Sequence, residues 1–366
     1  MNDTYKPALF MGLLLFSAFL SACSPVASGA PVMGKTSPPS GSPAYSSSFN
    51  SPLIDTTIAP SPDNISMEDT AVVTDGGKSY DGSNAQETYG RETSDTDITD
   101  ADSLLVRDAT ILLGESEESL IGKLGAPGRI AETEYDFDYY IYNNDYRRLL
   151  FVAVKDWTVV GFYTDSTDFS FHGVSYGSSL DTVNAAFDQS FTLSEVLTWH
   201  TGQYTVSILM DKIRTGTVTG IYLLPDEAEE DGYTDSVING IELLVYDLTN
   251  SIRARNGVPV LSWSSSAANS SRKHSKDMAM KNFFSHTGPD HRNPGDRLKA
   301  EGIAYRSIGE NIIAGYGSAI LSSHGWYNSL SHRETILDKK YCSIGVGFSY
   351  QNDSNYKTYI TQDFYR

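Results

Sequence analysis

The chain has 366 residues, 40% of them hydrophobic and 11% aromatic, and a formal net charge of −19. That composition excludes a wholly disordered polymer and leaves room for two domains and a tail. The charge is uneven: residues 24–108 carry 13 acids against 4 bases and 109–236 carry 21 against 7, but 237–366 carry 11 against 15. A mild basic excess spread over one domain is a solvated surface rather than a nucleic-acid footprint, so no nucleic-acid partner is expected.

Residues 8–22 are an uncharged apolar run behind Lys6. At 15 residues the run is short for a membrane span, which needs roughly 20, and fits the apolar core of a secretory signal. It ends in Leu20-Ser21-Ala22-Cys23, which resembles the bacterial lipobox. That resemblance implies a signal peptide over 1–22, acylation of Cys23, and a membrane partner reached through the lipid anchor. Residues 23–103 are rich in Ser, Pro, Gly and Asp, a composition too polar to offset chain entropy. They read as a disordered stalk with a reach of roughly 50 Å. Cys342 reads as a small buried residue near a strand start, with no partner.

From residue 104 to 232 a repeat appears. Gly114, Leu120 and Leu124 match Gly177, Val183 and Phe187, and Thr158-Val-Val-Gly-Phe-Tyr163 matches Thr217-Val-Thr-Gly-Ile-Tyr222. The pattern predicts a helix followed by antiparallel strands, twice. The acidic run Asp226–Asp231 with Gly232 reads as a hinge.

The last domain, 237–366, opens with Ile238, Ile241, Val245, Leu248 and Ile252 at helical spacing. Further helices are predicted from Ser264 to about Asn282, over 294–300, and over 318–329. Alternating runs at 344–350 and 356–364 predict a β-hairpin. Five of the seven histidines fall between 264 and 337. His274 lies on the apolar stripe of its helix and reads as a core residue, whereas His291 and His324 read as solvated. Glu310 stands in a Gly-Glu-Asn stretch that reads as a corner.

Eight ordered pieces carry a resemblance across about 240–366. They are Asn250-x-x-Arg253, Gly257-Val-Pro-Val-Leu-x-Trp263, His274-Ser-x-Asp-Met278, Phe283-Phe-Ser-His286, Gly309-Glu-Asn311, Trp326-Tyr-Asn-Ser, Ser331-His332-Arg and Ile344-Gly-Val-Gly. Together they resemble the CAP superfamily (cysteine-rich secretory proteins, antigen 5, pathogenesis-related 1) in its cysteine-poor bacterial branch. The duplicated region resembles the associated domain that precedes CAP domains in some Gram-positive surface proteins. The implied fold class is α+β: an α-β-α sandwich behind a duplicated helix-plus-antiparallel-strands domain.

The resemblance implies a cleft lined by His286, Glu310 and His332, with Asn311 and Trp326 beside them, and a divalent metal such as zinc on the two histidines and the glutamate. A second family glutamate is expected on the helix beginning at Trp326, but Asn328 and Ser329 stand there. The same three residues serve two functional classes. In one the protein is an exported surface module, lipid-anchored on the outer face of the membrane, that binds a small ligand, lipid, glycan, peptide or cell-wall component. In the other they act as a metal-assisted hydrolase or protease, with an open metal position for water.

Overall fold

The computed structural model describes residues 103–228 and 232–366, and the backbone of Leu53–Ile54. The signal sequence, Cys23 and the rest of the expected stalk lie outside the described residues.

Region 103–228 is built as its repeat predicts. Ser116 and Ser179 cap α1 (Glu117–Leu124) and α2 (Leu180–Phe187) by accepting from the Ser119 and Thr182 amides. The matched Thr-Val-x-Gly segments lie on strands Thr158–Thr164 and Val218–Pro225, which pair antiparallel at the centre of a seven-stranded sheet. The repeat extends to backbone detail. Gly114 and Gly177 donate to the carbonyls of Val159 and Val218, each at 2.8 Å. A Cβ on Gly161 would lie 2.5 Å from the Leu223 carbonyl oxygen, and one on Gly220 would lie 2.9 Å from that of Thr164. These two matched glycines let the copies approach where their strands cross.

The second half is a helix–sheet–helix sandwich. Its sheet runs Leu53–Ile54, Ile308–Ala314, Thr358–Tyr365, Ser343–Tyr350, Ser262–Trp263. The hairpin of 343–350 with 358–365 forms where alternation predicts it. Residues 308–314, whose Gly-Glu-Asn reads as a corner, form a strand paired to 358–365, so the corner reading is corrected. On one face lies α4 (Ser265–Lys281), following α3 (Asp235–Arg255) in the chain and preceding α5 (Pro294–Ala300). A Cβ at Gly345 or Gly347 would sit 2.0 Å from the α4 backbone, so only glycine lets this helix seat so deeply. Ser271 and Ser275 then donate to the carbonyls of Gly345 and Gly347. The other face carries α3, α6 (Ala319–Tyr327) and α7 (Leu330–Leu337) over Ile313, Ile344, Val346 and Phe348.

One apolar core runs through both halves: Tyr139, Phe151 and Tyr163 share a cluster with Ile241, Leu248, Trp326 and Ile344. Buried charges cross the same boundary. Asp165 meets Arg255 at 3.2 Å and Asp211 meets Arg333 at 2.7 Å. Asp247 takes Arg129 at 2.8 Å and Tyr146 at 2.9 Å. The hinge read at 226–232 lies partly outside the described residues, and the halves on either side of it share a core. His324, expected to be solvated, is buried there with Nε2 2.9 Å from the Glu195 carbonyl. Cys342, expected buried near a strand start, is half-buried directly before the strand Ser343–Tyr350.

Candidate functional site

Because successive strand residues face opposite ways, Glu310 points toward α4 and α5 while Asn311 points toward α3 and α7. Glu310 is fully buried and doubly held. His286 Nδ1 lies 2.7 Å from Oε1, and Arg297 of α5 forms an ion pair with Oε2. Arg297 also donates to the carbonyls of His286 at 2.8 Å and Arg292 at 3.0 Å, pinning the loop that carries the histidine. Burial raises the Glu310 pKa, but Arg297, His274 and His286 outweigh it and hold the carboxyl well below its usual range.

Glu310 has a second carboxylate beside it. Asp363 is its register partner on the neighbouring strand, so both side chains stand on one face. Asp363 accepts from Ser271 at 3.0 Å, and burial with the adjacent Glu310 charge pushes its pKa well up. His274 is buried as expected, with Nε2 2.9 Å from the Ser285 carbonyl, and burial lowers its pKa to about 4.

The other expected cleft residues have partners of their own. His332 is buried with Nδ1 2.7 Å from Ser329 Oγ, and its carbonyl accepts from Asn311 at 3.4 Å. The Asn311 amide also reaches Gln362 on its own face of the sheet, and Trp326 Nε1 donates to the Ile312 carbonyl at 3.1 Å. Asn328, at the position of the missing glutamate, ties the two halves together through the Lys212 amide and the Met210 carbonyl. The structure therefore joins His286 to Glu310 and adds Arg297, Asp363 and His274, which sequence reasoning did not place there. The helix predicted over 294–300 is the element that brings Arg297 in, with a capping box between Asn293 and Asp296 at its start.

This arrangement does not fit zinc on His286, Glu310 and His332. Both oxygens of Glu310 are already engaged, one of them by a guanidinium whose charge would repel a cation. Among the described residues no group of three or more His, Cys, Asp or Glu side chains stands together as a metal-holding set.

The comparisons agree with the fold. The pattern of the cysteine-rich secretory protein family, CAP, matches residues 246–364, and that of the CAP-associated N-terminal domain matches 113–211. The uncharacterized membrane protein YlbC of Bacillus subtilis is 26% identical over 290 residues, covering 69% of this chain and 82% of that protein. The uncharacterized YkwD of the same species is 35% identical over 127 residues, which are 34% of this chain and 49% of that protein. Two solved structures share the fold. An extracellular protein containing a SCP domain from Bacillus anthracis has a TM-score of 0.59 at 24% identity, covering 76% of this chain and all of that one (100%). A cysteine-rich secretory protein from Staphylococcus aureus has 0.53 at 15%, covering 69% and 93%. Residues 246–364 are a CAP domain of the cysteine-rich secretory protein family, preceded by a CAP-associated N-terminal domain.

Proposed function

We propose that the chain is an exported surface module whose His286–Glu310–Arg297 cluster binds a polar ligand without turning it over. The observation that carries this is the saturation of Glu310. A general base should have a pKa near the working pH and a free lone pair aimed at its proton. Glu310 has neither: its pKa is depressed and both oxygens are held. His286 keeps 11% of its side chain exposed and forms the doorway through which a ligand would meet the cluster. Saturable binding of soluble cell-wall fragments or lipid vesicles, lost in His286→Ala and without product formation, is the expected result. Hydrolysis of a peptide or ester that the same substitution abolishes would overturn the reading.

The anchor belongs to the same proposal. The Leu-Ser-Ala-Cys23 end of the apolar run supports acylation, and no described helix is long and apolar enough to cross a membrane. Cys23→Ala should release the protein from the membrane fraction, and mass spectrometry should find a thioether on Cys23. A Cys23 sulfur found in a disulfide, or unchanged membrane retention, would contradict it.

A further inference from the structure

Strand 308–314 reads Ile-Gly-Glu-Asn-Ile-Ile-Ala and, among the described residues, only Leu53–Ile54 lies outside it in its sheet. A sheet edge offers a row of backbone N–H and C=O groups to any added strand, and edges are usually blunted with lysine, proline or a bulge. This strand contains neither lysine nor proline, and its register with 358–365 runs without a break. Its one charge, Glu310, is held by His286 and Arg297.

The hydrogen bonds of its inner side fix which groups face outward. Ser307 and Arg366 exchange both backbone bonds, at 3.2 and 3.0 Å, and the Gly315 amide donates to the Thr358 carbonyl at 3.0 Å. Odd-numbered residues therefore bond inward, and Ile308, Glu310, Ile312 and Ala314 turn their N–H and C=O groups outward. Side chains already reach two of these carbonyls: Tyr341 Oη donates to Ile308 at 2.7 Å and Trp326 Nε1 to Ile312 at 3.1 Å. Ala314, at the end of the row, is met by backbone instead. Leu53 lies opposite Ala314 and Ile54 opposite Ile313, antiparallel. In that register the Leu53 N–H faces Ala314, whereas the Ile54 N–H points away from the sheet.

We infer that the outer edge of strand 308–314 is a strand-addition site, and that the Leu53–Ile54 segment of the same chain occupies it. The stalk is thereby docked on the sheet beside the strand that carries Glu310. Two residues make few ladder bonds, but a tethered segment meets its site at an effective concentration on the order of millimolar, so little affinity is needed. Only residues 24–52 then separate the proposed anchor at Cys23 from the docked strand. Their coil reach is roughly 30 Å, against roughly 50 Å for the whole stalk. The inference goes beyond the binding proposed at His286: it uses main-chain groups of Ala314 and holds with or without a ligand at the cluster.

The test is amide hydrogen exchange of the intact chain, followed at Ala314. Leu53→Pro removes the donor that faces Ala314 and puts a ring carbon in its place, and should speed Ala314 exchange about tenfold or more. Ile54→Pro removes an N–H that points away from the ladder, and should leave the rate within about twofold. Exchange that Leu53→Pro leaves unchanged, or that both substitutions speed equally, overturns the inference. Protection of Ala314 that rises with protein concentration assigns the added strand to a second copy, and overturns docking within one chain. Failure of ligand binding at His286 would leave this pattern intact, so the two readings fail separately.

Discussion

The molecule buries charge in two places, and they are built differently. At the boundary between its halves, Asp211 meets Arg333 at 2.7 Å and Asp165 meets Arg255 at 3.2 Å. Arg333 also lies over the Tyr327 ring and donates to the Tyr327 carbonyl. These groups are closed off inside a continuous apolar core. The Glu310 cluster instead lies against a cavity of about 440 Å³, where the boundary pair Asp165–Arg255 lines one of about 10 Å³, and it carries the paired carboxylate Asp363. Burial of charge alone therefore does not mark a functional site.

The first way to break the contrast is at the boundary. Arg333→Ala leaves Asp211 as an uncompensated buried charge, and should cost about 3–5 kcal/mol of stability. Calorimetry should still show one transition, since the halves share a core; two separated transitions in the wild type would argue for independent domains.

Acid should weaken both places together. His274 beside the cluster and His324 at the boundary are held neutral by burial, with pKa values lowered to about 4 from 6.5. As pH falls from 6.5 toward 4, the unfolded chain takes up protons that the native chain refuses, so stability is full above that window and declines through it. The decline should be on the order of 3 kcal/mol per histidine. A stability curve flat between pH 6.5 and 4 would contradict the burial of both rings.

Asp363 sharpens the contrast with the smallest expected effect. Its pKa is raised by burial and by Glu310, so its protonated form is the one the fold favours. Its contribution is present below the unfolded pKa near 3.8 and is lost as pH rises through the native value. Asp363→Asn mimics the protonated form and should change stability at neutral pH by less than about 1 kcal/mol, or raise it, unlike any boundary substitution. A loss as large as that of Arg333→Ala would place Asp363 among the closed ion pairs.

How much of this was legible in sequence depended on range. The helical spacing of Ile241, Val245, Leu248 and Ile252 located α3, and the duplicated Thr-Val-x-Gly segment located the centre of the first sheet. The His286–Glu310 pairing followed from the ordered family motifs. Arg297 and Asp363 were hidden for different reasons. Arg297 depends on how a seven-residue helix docks. Asp363 depends on strand register, which could not be drawn while Gly309-Glu-Asn311 was read as a corner. The family resemblance set Asn311 beside Glu310, although strand alternation turns its side chain to the other face of the sheet. The boundary pairs had no local signal, since Asp211 and Arg333 are 122 residues apart.

The central claim is that Glu310 is neutralised by His286 and Arg297 and is not a zinc ligand. Equilibrium dialysis of the intact chain against zinc at pH 7, followed by metal analysis of wild type and His286→Ala, tests it most directly. The account predicts no bound zinc that His286→Ala removes. One equivalent of zinc in the wild type, lost on that substitution, would contradict it.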